Sequence, residues 1–279
     1  MRLTIDHVTI AASRLDLLER AFTDAGMTPE YGGAHSNGAT HMDTLGFDDG
    51  SYVELISRLS ADATSPMWDT FIVGDAGPCA WAVATDDLAG EVERVRALGI
   101  PVQGPTPLKR TRPDRTLIEW ELAFLGEDSP GATLPFLIQD KTPRGRRIQP
   151  SASLAGSELR GVVGVALAVP DLDPAVELFQ RVFEWPAPEH GESDDLGARL
   201  AHFAGTPVTL ATPKGTDGWL ALRLERFGPA PCAIFLASDD LSATARQLPL
   251  AQPHEWVGRA LRWVEPERLH GARVGVLAV

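Results

Sequence analysis

The stretch Pro78-Cys79-Ala80-Trp81-Ala82-Val83-Ala84-Thr85-Asp86-Asp87-Leu88 returns 153 positions later as Pro231-Cys232-Ala233-Ile234-Phe235-Leu236-Ala237-Ser238-Asp239-Asp240-Leu241. Seven of the eleven positions are identical, and three of the other four stay apolar. A repeat of this kind bears on fold ahead of any local pattern, because it makes the chain two copies of one plan. It also supplies an internal control. A residue present in one copy and missing from its twin is not there only to hold the fold.

Outward from the repeat, each copy reads as a strand running into a helix. Residues 79–85 form the strand, and Leu88, Val92, Val95 and Leu98 recur at helical spacing before Gly99 stops the helix. Strands near 116–125 and 134–140 follow. The same order stands upstream: a strand over 3–11, a helix from an N-cap at Ser13 to Ala25, and a stop at Gly26. Short strands are expected near 28–32, 40–47 and 51–58, the last two joined by the hairpin signal Asp48-Asp49-Gly50. After a polar linker over 141–161, a third unit begins at Val162, with its helix from Pro174, and a fourth runs from Cys232 to Val279. The expected fold class is α+β: four βαβββ units in two pairs, one domain over 1–142 and a second over 158–279. Trp120 and Trp263, each in the third strand region of a closing unit, support the pairing.

Composition bounds the function classes. A hydrophobic share of 44% over 279 residues suffices for real cores. No apolar run approaches a spanning helix and no signal-peptide pattern opens the chain, so a cytoplasmic protein without membrane partners is expected. A net charge of −13 argues against nucleic acid. Three lysines against 22 arginines in so acidic a chain suit a halophilic source, or a GC-rich genome. Cys79 and Cys232 sit at equivalent repeat positions and read as buried thiols. Dinucleotide, phosphate-loop, HExxH and nucleophile-elbow motifs are absent.

Four segments carry a resemblance: Asp6-His7-Val8 on the first strand; Gly32-Gly33-Ala34-His35, read as a turn; Phe47-Asp48-Asp49-Gly50-Ser51-Tyr52-Val53-Glu54-Leu55; and Leu134-Pro135-Phe136-Leu137-Ile138. Together with the paired βαβββ units they resemble the vicinal oxygen chelate superfamily, and within it the glyoxalase-like domain proteins. The resemblance covers 1–140 well and 160–279 loosely. It implies two units curled around a cavity and a divalent metal ion (zinc, nickel, manganese or iron) held by His and Glu side chains. The implied activity is that of a lyase, isomerase or dioxygenase acting on a small oxygenated molecule. Metal-free binding proteins share the fold, and family members often pair, which makes a homodimer the implied assembly.

Strand alternation then sorts the candidate residues. With Val8 and Ile10 against the helix, His7 and Thr9 face the cavity; with Val53 and Leu55 against it, Tyr52 and Glu54 do. A carboxylate on an apolar strand needs a partner, so His7 and Glu54 are either a hydrogen-bonded pair or two ligands of one metal. His7 aligns with Ala80, Gly164 and Ala233, and Glu54 with about Thr209, which favours a functional origin for the pair and leaves the second domain without such a site. Because Ala80 holds the second unit's His position, a third ligand must come from elsewhere. Glu119 or Glu121 is the candidate for it if Ile118, Trp120, Leu122 and Phe124 lie under the helix, with Glu119 also a candidate substrate contact; otherwise that polar face meets solvent. Gln139 on the last strand is the remaining polar candidate. His35 is a candidate for proton transfer beside Glu54, and Trp68 for the cavity entrance. Trp81 reads as core, and pairing Phe47 with Ser51 puts Met42 and Thr44 on the Glu54 face and His41 opposite. Lys109, Arg110, Arg112 and Arg115 form a local basic cluster, read as a solvated loop rather than an anion site.

Overall fold

In the computed structural model, which describes residues 3–111 and 115–279, the two repeat stretches are neighbouring central strands of two eight-stranded sheets. The first unit is β1 (Thr4–Ala11), α1 (Leu15–Asp24), β2 (Glu30–Ala34), β3 (Thr40–Gly46) and β4 (Tyr52–Arg58). A short helix, α2 (Asp69–Val73), leads to the second: β5 (Gly77–Ala84), α3 (Leu88–Ala97), β6 (Val102–Thr111), β7 (Leu117–Leu125) and β8 (Phe136–Asp140). The third is β9 (Leu159–Ala168), α4 (Leu172–Phe183), β10 (Glu189–Ser193), β11 (Ala198–His202) and β12 (Val208–Pro213). After α5 (Trp219–Phe227) comes the fourth: β13 (Ala230–Ser238), α6 (Leu241–Gln247), β14 (His254–Trp256), β15 (Arg259–Trp263) and β16 (Val274–Ala278).

The first sheet runs β2-β3-β4-β1-β5-β8-β7-β6 and the second β10-β11-β12-β9-β13-β16-β15-β14. In each, two units join through one antiparallel pair, β1 with β5 and β9 with β13. The four-unit α+β plan therefore holds. Each sheet curls, and in the first the two edges approach closely enough for the Arg110 guanidinium on β6 to donate to the Gly32 carbonyl on β2.

The repeat now has a physical reason. Its second aspartate caps the following helix: Asp87 accepts from the Gly90 N–H, and Asp240 from the N–H groups of Ser242 and Ala243. Its proline carbonyls meet across the contact between β5 and β13, where buried Arg223 of α5 donates to the carbonyls of Ala76, Pro78 and Pro231. The two thiols lie buried beside this guanidinium, and burial pushes both up, Cys232 to about 11. Apolar residues of both sheets merge there into a shared core with the helices, in which Val8, Ile10 and Trp81 pack with Leu18 and Phe22 of α1.

Local expectations shift in four places. Arg14, not Ser13, is the N-cap of α1; the Ser13 N–H instead donates to Asp75 Oδ1 at 2.7 Å, so a distant carboxylate fixes the chain's entry to the helix. Gly32 and Gly33 belong to β2 rather than a turn, with a register shift between Tyr31 and Gly33. Strand β6 is masked in the sequence by Pro105, Pro107 and a run of charges; an edge strand tolerates them, since its outer N–H groups have no ladder to fill. The segment after β8 is not a free linker. Ile148 lines the first sheet's cavity, Arg147 is buried against β1, and the Ser151 hydroxyl accepts from the Gly46 N–H.

Candidate active site

The first sheet curls around a cavity of about 460 Å³. The period-2 alternation of β1 and β4 delivers His7 and Thr9, Tyr52 and Glu54 to its wall, while Val8, Ile10, Val53 and Leu55 face the helices. The register pairs Thr9 with Glu54 and His7 with Tyr52 on adjacent parallel strands. The Phe47 N–H to Ser51 carbonyl bond fixes the neighbouring hairpin, so Met42 and Thr44 join this wall and His41 turns away from it. His35, at the end of β2, and Trp68, before α2, also line the cavity, their rings 6.3 Å apart.

Glu54 sits between two imidazoles. His7 Nε2 lies 3.9 Å from its Oε2, and His35 Nε2 lies 3.5 Å from its Oε1. Each ring is anchored through its other nitrogen: His7 Nδ1 to Asp6 Oδ1 at 2.7 Å, and His35 Nδ1 to Thr40 Oγ1 at 2.8 Å. The tyrosine ring of Tyr52 stacks on His7 at 4.6 Å, and Phe136 meets the same imidazole edge-on at 5.2 Å. Burial acts to raise the Glu54 carboxyl, but His35, then the charges of His7 and Arg110, outweigh it and hold the group below its ordinary value. It is a buried carboxylate kept ionised in an apolar cavity.

Behind His7 stands a charge cluster that the sequence did not disclose. Asp6 is fully buried, and Arg147 donates to both its oxygens, Nη1 to Oδ1 at 3.0 Å and Nη2 to Oδ2 at 2.6 Å. Arg144 adds a further contact to Asp6. Arg147 also reaches Asp140 Oδ1 at 2.6 Å and the Tyr52 hydroxyl at 3.1 Å. Burial opposes ionisation of Asp6, but Arg147 and His7 override it and hold the carboxyl well below its usual range. The cluster fixes which His7 nitrogen faces the cavity, since Nδ1 is bound to Asp6.

The carboxylates expected on β7 are elsewhere. Trp120, Leu122 and Phe124 face the cavity, and Ala123 and Leu125 the helices. Glu121 therefore points out of the site and pairs with Lys141 at 2.9 Å, and Glu119 is exposed. The expectation failed because it placed the bulky apolar set under the helix, whereas small Ala123 packs there and the aromatic set walls the cavity. Gln139 is likewise diverted, its amide bonded to the Asp86 carbonyl and the Leu88 N–H. Of the basic cluster, Lys109 and Arg110 lie on β6 and line the cavity mouth, which corrects the solvated-loop reading for both; Arg112 lies outside the described residues.

The second sheet carries different residues at the equivalent positions. Ala166 pairs with Thr209 as Thr9 pairs with Glu54, so Gly164 and Thr209 stand where His7 and Glu54 do. The repeat puts Phe235 where the first copy has Ala82. Ala82 lies between His7 and Phe136 in the first sheet, and Phe235 lies between Gly164 and Gly275 in the second. A Cβ on Gly275 would sit 2.8 Å from the Phe235 ring, so the glycine is required there. Large and small residues have been exchanged. Phe235 packs with Trp256 at 4.7 Å and Trp263 at 5.6 Å in an apolar cluster of the second sheet.

The model of the family described as "Glyoxalase-like domain" matches residues 5–183, more than half the chain. The chain belongs to the glyoxalase-like domain family. No functionally curated protein matches this family member. Among solved structures, a hypothetical protein from Staphylococcus aureus aligns over 99% of this chain and 100% of its own at 14% identity, with a TM-score of 0.62. A triple mutant of 4-hydroxymandelate synthase from Streptomyces coelicolor aligns over 99% and 92% at 13% identity, with a TM-score of 0.63. Methylmalonyl-CoA epimerase from Mycobacterium tuberculosis covers 45% of this chain and 91% of its own at 23% identity, with a TM-score of 0.40. At these identities the likeness to the hypothetical protein and the synthase shows a shared fold alone. No helix among the described residues is long and apolar enough to cross a membrane.

The charge cluster gives a first test. His7→Ala should cost less than about 2 kcal/mol, because Asp6 keeps both arginines and the sister strands fold with Ala or Gly at that position. Urea unfolding measures it, and a larger loss would make His7 a structural residue.

Proposed function

We propose that the first sheet's cavity is an acid–base site that moves a proton on a carbon beside a carbonyl, an isomerase- or lyase-type activity on a small oxygenated molecule. The observation that carries it is Glu54, a buried carboxylate held ionised between two anchored imidazoles at the wall of an apolar cavity. Glu54 takes the proton from the C–H bond, and that bond's electron pair moves onto the carbonyl oxygen. A protonated His35 Nε2 or His7 Nε2 donates to the new oxyanion, then takes that proton back as the carbonyl re-forms and Glu54 delivers its proton to carbon. Thr9 and Tyr52 bound the space beside Glu54, and Trp68 stands near its entrance.

A divalent metal ion would stabilise such an oxyanion, but the side chains present do not fit one. His7 and His35 approach opposite oxygens of Glu54 rather than a shared point, Glu121 is turned away, and no cluster of three or more His, Cys, Asp or Glu among the described residues is arranged to hold a metal. The proton path above uses the chain's own groups alone. A metal-free binding role is the second reading. It is favoured by the second unit's wall, where Trp120, Leu122, Phe124, Phe136 and Ile138 are apolar.

Exchange of carbon-bound protons in D2O separates the two, followed by NMR with pyruvate and phenylpyruvate as probes. The acid–base reading expects deuterium incorporation that rises with protein concentration. Ligand-induced thermal stabilisation with no exchange above the solvent rate would leave only the binding role.

A further inference from the structure

The two imidazoles beside Glu54 are anchored by different chemistry. On His35 the anchor begins in the connection between β2 and β3. Asn37 Oδ1 accepts the backbone N–H groups of Ala39 at 2.9 Å and of Thr40 at 3.2 Å. Only the oxygen of an amide can accept them, so the amide's orientation is fixed, and its Nδ2 group donates to Thr40 Oγ1 at 3.2 Å. Thr40 is fully buried at the start of β3, on the same face as Met42 and Thr44. Its own hydroxyl hydrogen has two acceptors in reach. Asn37 Oδ1 is 3.4 Å away and already holds two N–H groups; His35 Nδ1 is 2.8 Å away. The short contact takes the hydrogen. His35 Nδ1 is therefore an acceptor, and the neutral ring carries its hydrogen on Nε2, 3.5 Å from Glu54 Oε1.

His7 is set the other way. Its Nδ1 lies 2.7 Å from Asp6 Oδ1, and an ionised carboxylate only accepts, so Nδ1 carries the hydrogen. Asp6 already holds Arg147 and Arg144, so its charge is balanced without a second proton on His7. In the neutral ring Nε2 is then a bare acceptor. It faces Glu54 Oε2 across 3.9 Å, too far for a direct hydrogen bond.

We infer that the two histidines are opposite tautomers, with His35 Nε2–H the donor of the site, His7 Nε2 its acceptor, and Thr40 the positioning residue that holds His35 in that form. On the acid–base reading, on which only this consequence rests, His35 meets the oxyanion and His7 accepts from an O–H or N–H group of the ligand.

The test is nitrogen NMR of the full chain labelled with 15N at its seven histidines, at about pH 8.5, well above the ordinary imidazole value of about 6.5. Signals lost in His7→Ala and in His35→Gln assign the two rings. The expected spectrum has a protonated Nδ1 and a bare Nε2 for His7, and the reverse for His35. Thr40→Val keeps the shape of the side chain and removes its hydroxyl. It should move the His35 Nδ1 signal to the position of an unbonded acceptor, and Thr40→Ser should restore it, while unmoved His7 signals show that the site stays folded. Thr40→Val should also lower the deuterium-exchange rate of phenylpyruvate by about tenfold, the worth of one hydrogen bond, and Thr40→Ser should recover it. A hydrogen on His35 Nδ1, a hydrogen on His7 Nε2, a His35 Nδ1 signal indifferent to Thr40→Val, or an exchange rate that Thr40→Val leaves unchanged would each overturn the inference. Opposite tautomers without proton exchange on any probe would remove the acid–base reading alone. Exchange with both rings in one tautomer would remove this inference alone.

Discussion

Arg147→Ala should destabilise the protein by about 3–5 kcal/mol, the cost of breaking a buried ion pair from one side. The substitution takes a partner from Asp6, from Asp140 and from the Tyr52 hydroxyl at once. Arg144 and His7 remain on Asp6, so the loss falls mainly on the bidentate fork and on Asp140. Arg147→Lys keeps the charge without the fork and should fall between the two. The pH dependence has a definite sign. Asp6 has a depressed folded pKa, so its contribution is complete above the unfolded value of about 3.9 and is lost only as pH falls through the lower folded value. The wild type should therefore keep this contribution through pH 4, and the variant should begin to weaken at a higher pH. Urea denaturation at a series of pH values measures both. A loss under about 1 kcal/mol would mean that the cluster is a solvated surface pair.

Glu54→Gln should lower the proton-exchange rate by about 10²–10⁴-fold, the usual worth of a positioned general base. The amide keeps the shape of the side chain and removes a buried charge, so the fold should survive and ligand binding should persist. Because His35, His7 and Arg110 outweigh burial and hold Glu54 below its ordinary value, the carboxylate persists at mildly acid pH. The acid limb of the wild-type rate should then fall below the ordinary Glu value of about 4.3. A rate already halved near about pH 6, where a carboxyl raised by desolvation titrates, would contradict that electrostatic balance. Stopped reactions across pH 3 to 8 give the profile.

What the chain disclosed follows from how local each feature is. The four units, the facing of His7, Thr9, Tyr52 and Glu54, and the hairpin register all depend on neighbours a few residues apart, and period-2 alternation carries them. The Arg147–Asp6 pair spans 141 residues, and in sequence Arg144-Gly145-Arg146-Arg147 looks like any solvated charge run. Strand β7 alternates so evenly that either face suits the cavity, and only its contacts across the sheet decide for Trp120 over Glu121. The exchange of Ala82 for Phe235 stood in the repeat as one of four differing positions. Its meaning depends on Gly164 and Gly275, which lie on other strands.

In the proposed mechanism, side chains of the first sheet alone move the proton. Its most direct test is the deuterium-exchange rate of phenylpyruvate with the wild type before and after exhaustive chelation, beside Glu54→Gln. The expected result is a wild-type rate unchanged by the chelator and a Glu54→Gln rate at the solvent background. Exchange that the chelator abolishes and added zinc, nickel, manganese or iron(II) restores would contradict the account, as would exchange that survives in Glu54→Gln.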